Sequence, residues 1–112
     1  MRATLEAQPE VEIVAEAAGG VEAIEKVKEF RPDVVLLDVS LPDLNGIEVA
    51  SQIFQSVPHS KIIFLSQQND EDLVRATLGA GASGFVLKTA RSVELLSAVK
   101  AAMRGDTYVS QG

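Results

Sequence analysis

Val34-Val35-Leu36-Leu37-Asp38 is the stretch that decides the fold. Four apolar residues in succession, closed by a carboxylate, show no alternation between a wet and a dry face. Such a run is the pattern of a strand buried on both faces, as in a parallel sheet covered by helices. Asp38 then stands at the carboxyl end of the strand, where open α/β sheets bind their ligands. The residues Ser40-Leu41-Pro42-Asp43-Leu44-Asn45-Gly46 that follow are dense in turn formers. One acid is thus expected at the rim of a rigid sheet, beside a loop. The plainer alternative is that Asp38 only ends the strand or caps the next helix.

Outward from this stretch, strands and helices alternate. On the amino-terminal side, Met1 to Leu5 reads as a helix that Pro9 closes. Val11 to Glu16 reads as a strand, with Gly19-Gly20 breaking the chain after it. Val21, Ile24 and Val27 recur among charged residues, the mark of an amphipathic helix that Arg31-Pro32-Asp33 stops. On the other side, Ile47, Ala50, Ile53, Phe54 and Val57 mark one face of a second helix closed by Pro58. Lys61 to Ser66 is another buried strand. Asp70-Glu71-Asp72 places negative charge where a helix begins, and that helix runs to Gly79 and Gly81. Gly84 to Leu87 is a short strand ending at Lys88. The last helix starts at Ser92 and stops at Gly105, leaving Asp106 to Gly112 as a tail. The alternation predicts an α/β domain with a parallel sheet covered on both faces, over residues 1–105.

The totals narrow the functions. At 112 residues the chain fits one domain, and its 46% hydrophobic content is enough for a core. Without cysteine it has neither disulfides nor thiolate metal sites. No apolar run is long enough to span a membrane. A net charge of −6 argues against direct nucleic-acid binding by this domain, because phosphate contacts need clustered Lys and Arg. The single His59, between Pro58 and Ser60, reads as a solvated loop residue.

Three chemistry-bearing residues follow apolar strands directly: Asp38, Ser66 and Lys88. Parallel strands point the same way, so a carboxylate, a hydroxyl and an ammonium are expected at one rim, with neighbouring strands ~4.8 Å apart. Taken singly, a strand-end Ser satisfies a local backbone group and a lone Lys is solvated. Taken together they suggest phosphoryl transfer onto Asp38, a carboxylate being able to form an aspartyl phosphate. Lys88 would act as a point charge on the phosphoryl oxygens and Ser66 as a hydrogen-bond donor. A divalent metal, Mg²⁺ by its taste for oxygen, would normally assist.

The motifs RPDVVLLDVSLPDLNGIEV, KIIFLS and GASGFVLK resemble the receiver domain of two-component response regulators, in the family's order and spacing. The resemblance implies a flavodoxin-like (CheY-like) doubly wound sheet of order 2-1-3-4-5. It implies that Asp38 is the phosphoacceptor of a sensor histidine kinase, Ser66 the switch hydroxyl, Lys88 the family's lysine and Phe85 its rotating aromatic. Phe85 also reads as an ordinary core aromatic. Ser40 and Gln68 fall at positions that tune dephosphorylation, and Gln67 stands where a small residue is usual. EIVAEAAGGVEAIEKV and Gly105-Asp106-Thr107-Tyr108-Val109-Ser110 are similar to regulators of the LuxR/NarL type. In those proteins residues like 106–112 lead to a helix-turn-helix domain, so DNA contact is expected only through a domain outside this chain. A cytoplasmic location, a homodimer and no enzymatic role beyond its own phosphorylation and dephosphorylation are the further implications.

The front of the chain departs from that family pattern. The family opens on a strand ending in two acids that help hold Mg²⁺, and no such strand stands before the helix at Met1 to Leu5. Asp38 and the backbone carbonyl of Ser40 are the metal ligands expected here, with Asp43 and Glu16 as substitutes, and Mg²⁺ binding is in doubt. The missing strand is central, so its absence would part Val11–Glu16 from Val34–Asp38 by roughly 10 Å. A fragment, a truncated product or a re-paired sheet is therefore expected. The competing function is a pseudo-receiver, a protein-interaction module not controlled by phosphorylation. A phosphatase with an aspartyl intermediate lacks the second acid, Ser40 standing in its place. A flavodoxin-like cofactor binder lacks the phosphate-cradling glycine loop.

Overall fold

A computed structural model of the chain describes residues 19–38, 45–67, 71–87 and 92–109. The Met1 to Leu5 helix and the Val11 to Glu16 strand lie outside the described residues. So do Ser40, Gln68, Lys88 and the substitute ligands Asp43 and Glu16.

Helices and strands alternate as expected. Helix α1 spans Gly20–Phe30, β1 Val34–Asp38, α2 Gly46–Ser56, β2 Lys61–Ser66, α3 Glu71–Gly79, β3 Gly84–Leu87, α4 Ser92–Met103 and β4 Tyr108–Val109. The strands form one parallel sheet of order β1-β2-β3-β4. Parallel strands need crossovers, and here the helices supply them.

Pleat alternation sorts the strand side chains onto two faces. Leu37, Ile62, Phe64 and Phe85 face α1 and α2, where Ile24, Val27, Val49 and Ile53 meet them. Leu73, Val74 and Leu78 of α3 pack on the same side. Ile63, Leu65 and Val86 face α4, where Leu95, Ala98 and Ala102 meet them. Phe64 and Phe85 are both fully buried and stand opposite each other in the ladder.

The helix ends follow from local chemistry. Asn45 caps α2, its side-chain oxygen accepting from the Ile47 N–H at 2.8 Å. Arg31 closes α1 in the left-handed region at φ 48°, its N–H donating to the Val27 carbonyl at 2.8 Å. At the amino-terminal end of the sheet the buried Ser60 hydroxyl donates to the Pro32 carbonyl, and Lys61 N–H donates to Asp33 at 2.8 Å. His59, exposed as expected, has Nε2 3.3 Å from the Arg31 carbonyl oxygen.

Two expectations need correction. The buried stripe of α2 is Gly46, Val49, Ala50 and Ile53, continued by Val57, while Ile47 and Phe54 are half-buried flanks. Val49 was not expected in that stripe. More importantly, the tail is not all tail. Tyr108 and Val109 pair in parallel with Gly84 and Phe85, adding a strand outside the three that correspond to positions 3-4-5 of the expected order. The turn after α4 aims the chain there. Gly105 adopts φ +86°, its N–H donates to Ala102 at 3.0 Å, and Asp106 N–H donates to Ala101 at 2.9 Å. These two bonds and a left-handed glycine make a Schellman stop.

Candidate functional site at the sheet rim

The rim at the carboxyl ends of the strands is where sequence and structure meet. Asp38 is the last residue of β1 and stands opposite Leu65 in β2. Ser66, the last residue of β2, stands opposite Leu87, the last residue of β3. Two chemistry-bearing residues therefore close adjacent strands at one rim, as their sequence positions require. Lateral neighbours in such a sheet are about 4.8 Å apart.

Their faces differ. Leu36 lies with the α4 cluster and Leu37 with the opposite one, so alternation places Asp38 on the α4 side. Phe64 belongs to the α1–α2 side and Leu65 to the α4 side, which puts Ser66 on the α1–α2 side. Acid and alcohol thus flank the rim from opposite faces and share only its edge. Asp38 is half-buried, while Ser66 is buried at 6% exposure. The carboxylate is open enough for a nucleophile, and the hydroxyl belongs to the sheet interior.

Helices α2, α3 and α4 begin where β1, β2 and β3 have ended, so their amino termini turn toward this rim. Unpaired N–H groups and the helix dipole make that environment favourable for negative charge. Gln67, just past Ser66, is exposed. Phe85 lies fully buried in β3, next to Phe64 and two residues before the strand's end. In this structure it occupies the core.

For a metal, the donor set is thin among the described residues. No group of three His, Cys, Asp or Glu side chains gathers there, and Asp38 is the one carboxylate that ends a strand. One carboxylate with water is nevertheless a donor set that Mg²⁺ accepts, since it keeps several waters and binds through one or two carboxylates. Among the described residues no helix is long and apolar enough to cross a membrane.

Comparison with known proteins identifies the architecture. The family model of the response regulator receiver domain matches residues 1–100. Among curated proteins, the oxygen regulatory protein NreC of Staphylococcus aureus is 43% identical over 103 residues, which are 91% of this chain and 48% of NreC. The chain thus spans about half the length of that relative. Among solved structures, a LuxR-family two-component response regulator from Aurantimonas sp. matches with a TM-score of 0.90 at 33% identity, over 96% of this chain and 76% of that one. The CheY of Borrelia burgdorferi, solved with CheX, beryllofluoride and Mg²⁺, matches with a TM-score of 0.77 at 32% identity, over 83% of this chain and 71% of that one. The chain belongs to the response regulator receiver domain family, in its LuxR/NarL branch.

Proposed function

We propose that this domain is switched by phosphorylation of Asp38 and passes the change to an output outside the chain. The observation that carries the reading is the placing of Asp38, half-buried and carboxylate-tipped, at the end of a strand whose neighbour ends in Ser66. A carboxylate oxygen attacks the phosphorus of the donor. The bond from phosphorus to the donor's leaving group breaks, and its electron pair leaves with that group. A phosphohistidine of a sensor kinase would release imidazole, which then takes up a proton from water.

The protein's contribution is position and charge. The strand holds Asp38 with little freedom, so little entropy is lost on reaching the attacking geometry. The amino termini of α2, α3 and α4 favour the negative phosphoryl group. Lys88, following β3, supplies the balancing cation. Ser66 donates a hydrogen bond to one phosphoryl oxygen, while Gln67, Gln68 and Ser40 set how easily water reaches the product. Asp38 and the backbone carbonyl of Ser40 would hold Mg²⁺, which would supply charge neutralisation for the phosphoryl oxygens.

Phe85 couples this site to the core. A shift of Ser66 toward the rim opens space on its face, and the Phe85 ring, on the same face, can follow. The output is then transcription regulation, through a helix-turn-helix domain of the LuxR type on a longer protein. A cytoplasmic location and a histidine kinase partner accompany that role.

Intact-mass measurement tests the reading. With acetyl phosphate and Mg²⁺ the chain is expected to gain one phosphoryl group, and the Asp38→Asn variant none. A parent chain that gains nothing, with unchanged spectra around Phe85, is instead a pseudo-receiver that works as an interaction module.

A further inference from the structure

Two rows of residues cross the sheet and end on β4, one row on each face. On the α4 face, Ile63, Gly84 and Tyr108 stand in register. Ile63 lies in the apolar cluster with Leu95 and Ala98, and Tyr108 packs against that cluster. On the opposite face the row is Phe64, Phe85 and Val109, since register partners in neighbouring strands share a face. Tyr108 and Val109 are both half-buried. The last strand thus has one residue anchored over α4 and one in register with Phe85.

The hold of β4 on the sheet is short but close. Its ladder is two residues long, and Tyr108 N–H donates to the Ser83 carbonyl at 3.1 Å. Gly84 has no room to spare. A Cβ there would come within 3.2 Å of the Tyr108 carbonyl oxygen and 3.3 Å of the Ile63 side chain. The Schellman stop at Gly105 aims the strand, and Arg104 Nε pairs with Asp106 Oδ2 at 3.2 Å across the turn. An element with so few bonds belongs to the part of a fold that opens most readily. Close packing, in turn, passes a displacement on instead of absorbing it.

We propose that β4 is a releasable strap that reads the position of Phe85. It is held on β3 while the ring fills the core and let go when the ring leaves. Whatever follows Val109 is then tethered to the sheet in one state and released in the other. The proposal rests on reading Phe85 as the group that follows Ser66 after phosphorylation of Asp38. A shift of the β3 backbone at Phe85 carries Gly84 with it, and Gly84 is wedged between Ile63 and Tyr108. The strain falls on the two-residue ladder, the shortest in the sheet.

Tyr108 is the one tyrosine and the chain has no tryptophan, so acrylamide quenching of its emission reports on the strap alone. Hydrogen–deuterium exchange at Tyr108 and Val109 reports on its ladder. In the intact chain, Gly84→Ala crowds the strap from its seat, and Phe85→Leu removes the ring but keeps an apolar side chain. Each is expected to quicken exchange at 108 and 109 by about fivefold, the net worth of one hydrogen bond, and to raise quenching, with β1 and β2 unchanged. Acetyl phosphate with Mg²⁺ is expected to do the same to the parent once its mass shows one added phosphoryl group. Parent exchange at 108 and 109 as slow as in β2 overturns the proposal. So do strap signals at the parent's level in either variant, or in a parent that has taken the label. Exchange that quickens equally throughout β1 and β2 overturns it too, since β4 would then be a general brace. A parent that takes no label removes the phosphoacceptor reading instead, and the Phe85→Leu comparison still decides whether the strap reads that ring.

Discussion

Asp38 and Ser66 reach the same rim from opposite faces of the sheet, and this divides their work. The acid stands half-exposed, where a donor can meet it, whereas the alcohol is nearly closed off among core residues. Under the proposed function, a signal that starts at the first enters the packing through the second. Phe85 is the next group on that path, fully buried on the same face as Ser66. Phe85→Ala is expected to lower stability by about 3–5 kcal/mol, the usual cost of an aromatic cavity, measured by urea unfolding. Tyr108 gives a pH-dependent expectation. Its phenol is held above the ordinary value by burial and by Glu94, so the folded state keeps a proton that the unfolded chain would lose. Stability should therefore be whole below about pH 10, the ordinary tyrosine value, and fall as pH rises through the folded value. Thermal unfolding of Tyr108→Phe should lack this component of the alkaline loss.

At the scale of elements, strands were the most legible feature of the sequence. Val34–Asp38, Lys61–Ser66 and Gly84–Leu87 follow their unbroken apolar runs to within one residue at either end. A strand buried on both faces is apolar through its middle, as in Lys61–Ser66 and Gly84–Leu87; in Val34–Asp38, expected to be buried in the same way, only Leu37 is fully buried and the other four residues are half-buried. The helix end at Gly105 was legible from its glycine stop, whereas Asn45 was read only as one of several turn formers and the structure shows it as a cap. Asn45→Ala removes the bond to Ile47 and is expected to cost about 1 kcal/mol. Gly105→Ala forces a side chain into the left-handed region at φ +86° and should cost about the same. Both are checked by urea midpoints. Strand β4 was not legible. Two residues carry no periodicity, and what makes Tyr108–Val109 a strand is the stop at Gly105 and the open flank at Gly84, which only the folded chain brings together. Val49 was missed for a milder reason: the stripe of α2 runs through Gly46, and a glycine carries no hydropathy signal.

For the whole molecule, the alternation of strands and helices indicated an α/β domain with a parallel sheet, the resemblance of three motifs indicated a receiver domain, and the family match over residues 1–100 agrees. The net charge of −6 argues against direct DNA contact by this domain. Titration with duplex DNA at moderate salt is expected to give no anisotropy change, because an acidic surface cannot replace the counterions of the phosphates. All of the proposed switching depends on a single acyl phosphate at one rim. The most direct measurement is peptide mapping after phosphorylation by acetyl phosphate and reduction with borohydride, which turns a phosphorylated aspartate into homoserine. Homoserine at position 38 alone is the expected result. Modification at another acid, or equal labelling of the Asp38→Asn variant, would contradict it.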